Sequence, residues 1–184
     1  MQNAIKYGLF NVPNSILYSV AMLYMYEAVP IIRKNMQHYN RNVAELCLAR
    51  LGDTALQAKI LRENVYTPST VDDESWMNNF IIKSSKLGFL GTQEGIYELR
   101  NWLDDTTHQN PAYRYINSDN WAVYDVVEVL KIWIKNPDFW AMTKDQNIDG
   151  YCPCSYEYIM RVKQWLIDNK GKYIISKEYC PPCN

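Results

Sequence analysis

Apolar residues in this chain recur every three or four positions in a series of short segments. Most of these segments are bounded by a polar capping residue at one end and a glycine or proline at the other. That period is the turn of an α-helix and not the alternation of a strand, so it predicts short helices and little sheet. The clearest segment opens at Thr92 and points Ile96, Leu99 and Leu103 inward. Ahead of it, Asp72 or Asp73 caps a helix whose face carries Trp76, Phe80, Ser84 and Leu87 and which Gly88 is expected to stop. Asp119 or Asn120 caps another, with Trp121, Tyr124, Val127, Leu130 and Ile134 on one side, ended by Asn136 and Pro137. The last runs from about Tyr156 to Asn169, with Ile159, Val162 and Leu166 on one side and Gly171 following.

The first third follows the same grammar. Asn14 caps a helix carrying Leu17, Ala21, Tyr24 and Ala28, ended or kinked at Pro30 and expected to be almost wholly buried. The pattern resumes through Ile32, Met36, Tyr39, Val43 and Leu46 to Gly52, which suits a left-handed C-terminal cap. Asn42 with Glu45 forms a pair like a capping box, which leaves two readings of this stretch, one helix or two. Asp53, Leu56, Ile60 and Leu61 mark a further short helix ending near Asn64. Residues 172–176 read as a short extended segment without an evident partner.

No repeat, heptad array or linker divides the chain. The expected fold is therefore all-α, an irregular or orthogonal multi-helix bundle forming one domain over residues 1–184. Its C-terminal part, about 145–184, contains cysteines. A length of 184 residues with 48% hydrophobic content supplies one core.

The most apolar run, Leu9 to Val29, is interrupted by Asn11, Pro13, Asn14 and Glu27. Its clean part, Ile16 to Tyr26, is shorter than the roughly 20 residues that cross a bilayer, so no membrane partner is expected. Lys6 gives the run a faint look of an export signal, yet no small-residue cleavage site follows. The formal net charge of -1 gives no global field for nucleic acid. The basic group Arg33, Lys34 and Arg41 reads as a solvated helix face.

Five cysteines are present. Cys47 lies on an apolar helix face and reads as a small core residue. Cys152 and Cys154 form CPC, and Cys180 and Cys183 form CPPC. Two close pairs on either side of a helix are the raw material of one structural zinc site, with a disulfide pair or independent thiols as the other readings. An odd cysteine total favours reduced thiols and a cytoplasmic setting. Asp145, Asn147 and Asp149 before Gly150 match the first half of a calcium loop. The second half fails, because Tyr156 stands where the bidentate glutamate belongs, and a plain polar turn is the competing reading.

Arg33 and His38, in RKNMQH, have the spacing of an arginine and a histidine with four residues between them. This resembles helical ribonucleases of the HEPN type, in which the catalytic pair is completed across a dimer. Lys34 stands where that family commonly has a polar residue. The resemblance, which covers six residues, implies a ribonuclease or toxin using Arg33 and His38. Glycine-rich phosphate loops, nucleophile elbows and zinc-protease helices are absent, and two histidines offer little acid-base capacity near neutral pH. No catalytic residue and no cofactor beyond a structural zinc is expected.

Fifteen tyrosines and six tryptophans exceed what a small helical core encloses with every hydroxyl and indole partnered. Some are therefore expected on a surface that meets another protein. The long unpatterned stretch 104–120, with Tyr113, Arg114 and Tyr115, is one candidate interface, and the tail at 180–184 is another. Abundant tyrosine, asparagine, isoleucine and lysine follow AT-rich codons, as in many phages and their hosts. The resulting expectation is a non-enzymatic subunit of a larger, homo-oligomeric or mixed assembly, such as a phage virion or its head-to-tail connector ring. It would be cytoplasmic, or part of a virion. A small metal-stabilised binding module is a further reading.

Overall fold

The computed structural model describes residues 14–67, 74–104, 123–144 and 156–177. Among them are nine α-helices, two 3-10 turns and no strand, so the protein is all-α. They fall into two compact units, one holding residues 14–63 and the other residues 64–176.

Among the described residues the first unit holds α1 (Asn14–Met22), followed by a 3-10 turn at Tyr26–Ala28, α2 (Val29–Lys34) and a second 3-10 turn at Met36–His38. Then come α3 (Arg41–Arg50) and α4 (Thr54–Glu63). The α1 helix is shorter than its apolar run because a left-handed residue ends it at Tyr24, with φ of 50°. The Met25 N–H reaches Val20 O at 3.1 Å and the Tyr24 N–H reaches Ala21 O at 3.2 Å, which is the Schellman closure. A tyrosine thus stands where glycine is usual. The sequence of α1 predicts a helix almost wholly buried, and it is not. It buries Leu17, Val20 and Ala21, while the turn beyond it exposes Leu23 and Tyr26.

Pro30 lies in the first turn of α2, where its missing N–H costs no helical hydrogen bond. The α3 helix is capped by Asn40, whose side chain accepts from the N–H groups of Asn42 and Val43, and not by Asn42 as the sequence suggested. Gly52, with φ of 99°, closes α3 by the same motif seen at Tyr24, its N–H on Ala49 O at 3.0 Å and that of Asp53 on Leu48 O at 3.1 Å. Asp53 then caps α4 by accepting from the Leu56 N–H at 3.1 Å. The core here is aliphatic: Ala21, Ala28, Ala44, Cys47 and Ala49, all at most 1% exposed, are packed with larger buried side chains such as Leu17, Ile32, Leu48 and Ile60.

The second unit contains α5 (Glu74–Leu90), α6 (Gln93–Trp102), α7 (Val123–Trp133), α8 (Pro137–Lys144) and α9 (Tyr156–Asp168). Thr92 caps α6 by accepting from the Gly95 N–H at 3.0 Å, and Ile96, Leu99 and Leu103 are buried as the pattern required. Val127 and Leu130 of α7, Ile134 just past its end, and Ile159, Val162 and Leu166 of α9 are buried likewise. Gly88 does not stop α5. The helix runs on to Leu90, and Gly88 is where α5 and α7 cross closely, since a Cβ there would lie 2.6 Å from both Trp133 Cδ1 and Val129 Cγ1.

The α7 helix stops at Trp133, ahead of Asn136 and Pro137, and Pro137 instead begins α8, a helix that the sequence pattern did not show. The α8 helix inserts Phe139, which is fully buried, against Trp165 of α9 with ring centroids 4.8 Å apart.

Candidate functional site

Residues 172–176 do have a partner. Gly171, with φ of 76°, turns the chain after α9, and the segment pairs in antiparallel fashion with the end of α7 through Ile134 and Ile175. Lys135 N–H donates to Ile174 O, and Ser176 N–H to Trp133 O, both at 2.7 Å. Two side-chain amides complete the cradle. Asn136 accepts from the Ile174 N–H at 2.7 Å and donates to Lys172 O at 3.3 Å. On the opposite edge, Gln93 accepts from the Tyr173 N–H at 3.1 Å and donates to Tyr173 O at 2.8 Å. An amide side chain carries a donor and an acceptor side by side, so each can pair with backbone as a neighbouring strand would. Tyr173 is buried, donates its hydroxyl to Leu166 O at 2.5 Å and lies 6.0 Å from the Trp165 ring. Loss of hydration pushes its phenol up to about 12.

Beside this strap lies Trp140 of α8, 39% exposed, with its indole N–H on Ile134 O at 2.8 Å and the Lys135 ammonium 5.1 Å from its ring centre. Ile174 itself is 54% exposed. On α9, Met160 and Ile167 are exposed and, seven residues apart, share one face of the helix. In the first unit Leu23 and Tyr26 stand open, 61% and 58% exposed. Among the tyrosines whose side chains are described, only Tyr158 and Tyr173 are buried.

Several charged groups in the first unit are mutually engaged. Arg33 pairs with Asp53 at 2.7 Å, and Glu45 receives Arg41 at 2.9 Å and Lys59 at 2.5 Å. The hydrogen bond from Lys59 leads the effects that hold the Glu45 carboxyl below its ordinary value, against the opposing cost of its burial. Arg50 is buried and donates to the Tyr24 hydroxyl at 3.0 Å, with its guanidinium 5.1 Å from that ring's centre. Cys47 is wholly buried, as expected of a core residue, and burial pushes its thiol up to about 12, far from a reactive thiolate.

Arg33 and His38 fall on different elements, Arg33 near the end of α2 and His38 at the end of the second 3-10 turn. Both are exposed. Arg33, Lys34 and Arg41 do not form one helix face, because α2 ends at Lys34 and α3 begins at Arg41. Cys152, Cys154, Cys180 and Cys183, the half-loop Asp145, Asn147 and Asp149, and the trio Tyr113, Arg114 and Tyr115 all lie outside the described residues. Among the described residues no group of three His, Cys, Asp or Glu side chains is placed to hold a metal, and no helix is long and apolar enough to cross a membrane.

Gln93, Asn136 and Trp140 were missed as interaction residues. Asn136 carried only the signal of a helix end, Gln93 followed the cap Thr92 without a signal of its own, and Trp140 sat in a helix without a visible period. No protein-family model, curated protein or solved structure matches this chain.

Proposed function

We propose that this chain is a non-enzymatic structural protein, a helical subunit of a larger and at least partly homo-oligomeric assembly. A phage virion or head-to-tail connector ring is the setting its composition suits, and the cytoplasm is where it would be made. The observation that carries this reading is the set of large apolar side chains left open on helices and turns: Leu23 and Tyr26 in one unit, Trp140, Met160, Ile167 and Ile174 in the other. Scattered single exposures are ordinary, but Met160 with Ile167 on one helix face, and Trp140 beside the strap, are pairs of the kind that interfaces use. In native mass spectrometry the full chain should form a multimer, and Met160→Asp with Ile167→Asp should shift it toward smaller species. A wild-type monomer at high concentration would refute the proposal.

A ribonuclease of the HEPN type is the second reading, favoured by the exposure of both Arg33 and His38. It requires that the wild type cleave RNA and that His38→Ala not do so. The four late cysteines leave one structural zinc as the cofactor to test. Elemental analysis without chelator should then find close to one equivalent per chain, and less than about half an equivalent would remove zinc from the account.

A further inference from the structure

The α6 helix carries a group of donors that the strap does not use. Gln93, Tyr97 and Arg100 follow at helical intervals and share one face. Gln93 is committed to the strap at Tyr173. Tyr97 and Arg100 instead meet Lys170, which arrives from the turn after α9. The Arg100 guanidinium lies 4.7 Å and the Lys170 ammonium 4.1 Å from the centre of the Tyr97 ring. The two positive charges therefore stand within about 9 Å of each other, close to the screening distance of physiological salt, and they repel.

Nothing in the surrounding structure neutralises them. A tyrosine ring attracts a cation but carries no charge to cancel it. Among the described residues no carboxylate pairs with Arg100 or with Lys170. The nearest acid along the helix, Glu98, is occupied: it accepts from the Asn101 side chain at 3.0 Å and from the Tyr66 N–H at 3.4 Å. Arg100 is left with one acceptor among the described residues, the neutral Asn101 Oδ1, and its buried Nε has none. The Lys170 ammonium and the Tyr97 hydroxyl have no acceptor there either. Three kinds of donor thus gather at one ring with their hydrogen-bonding capacity largely unspent. Tyr97 and Arg100 are half-buried and Lys170 is exposed, so the group is open to solvent on one side.

We infer that Tyr97, Arg100 and Lys170 form a binding site for a phosphate group, free or esterified. A phosphate ester carries nearly two negative charges near neutral pH, which matches two cations, whereas a carboxylate would leave one of them uncompensated. Its several oxygens can accept from a guanidinium fork, an ammonium and a phenol together. The site lies wholly within the second unit and needs no second copy of the chain.

Calorimetric titration of the wild-type chain at constant ionic strength tests this, with inorganic phosphate as the first probe. One saturable site with a Kd of about 1 mM or tighter is expected, and acetate over the same range should show none. Lys170→Gln, at an exposed position outside the core, should weaken phosphate binding about tenfold. Tyr97→Phe, which removes only the hydroxyl, should weaken it about threefold. Phenyl phosphate as the second probe separates the two sources: tighter binding than the inorganic ion assigns the site to an esterified phosphate, and weaker binding to the free anion. Failure of both probes to saturate by about 20 mM overturns the site. So does phosphate binding that Lys170→Gln leaves unchanged, or acetate binding as tight as that of phosphate.

Discussion

The two units solve the same problem with different materials. The first buries aliphatic side chains, from Ala44 and Ala49 to Leu48 and Ile60, with no aromatic ring buried among its described residues, and its helices are tied by caps, by Glu45 between Arg41 and Lys59, and by Arg33 on Asp53. The second buries Phe139, Trp102, Trp133 and a set of leucines, and commits its amide side chains to an extended strap. Aliphatic side chains each remove less apolar area from water than an aromatic ring does, so polar closure at the helix ends carries a larger share there.

This contrast predicts unequal responses to substitution. The largest is expected at Phe139, buried against Trp165, where Phe139→Ala should cost ~4 kcal/mol in denaturant unfolding. A loss under about 1 kcal/mol would mean that the second unit does not depend on its bulky core. Next is Gly88→Ala, which forces a methyl group onto Trp133 and Val129 and should cost about 2 kcal/mol. An unchanged melting temperature would show that α5 and α7 can separate at no cost.

Effects in the first unit should be smaller and should concern closure. Gly52→Ala places a Cβ on a left-handed residue and should cost ~1 kcal/mol although nothing crowds the site. Smaller again is Glu45→Gln, about 0.5 kcal/mol near neutral pH, because Arg41 and much of Lys59 are solvated. The carboxyl of Glu45 titrates below its ordinary value of 4.5 in the folded chain. Its stabilisation is therefore present above that pH and is lost as pH falls through the lower, folded value. Thermal melts across that range should show the wild type losing this increment, while Glu45→Gln is flatter. Parallel curves would take Glu45 out of the account.

What the sequence made legible were the helices whose core face repeats cleanly. Ile96, Leu99 and Leu103, and Ile159, Val162 and Leu166, announce their buried side because each occupies one stripe. The α8 helix was hidden because Asp138, Phe139, Trp140 and Met142 crowd eight residues without a stripe, and Pro137 reads equally well as an end or a beginning. The break at Tyr24 was hidden for a different reason: no local signal distinguishes a tyrosine that will turn left-handed, and its Arg50 contact comes from 26 residues away. The strap's partner was illegible on the same ground, since Gln93 meets Tyr173 across 80 residues. Surplus aromatics did foretell exposed ones, such as Tyr26 and Trp140, but not which positions they would hold.

Sedimentation velocity on the purified wild-type chain over a wide concentration series tests the central claim most directly. Assembly through the open apolar faces predicts a species several times heavier than the 21.6 kDa chain, growing in proportion as concentration rises. A single 21.6 kDa species at every concentration would contradict it.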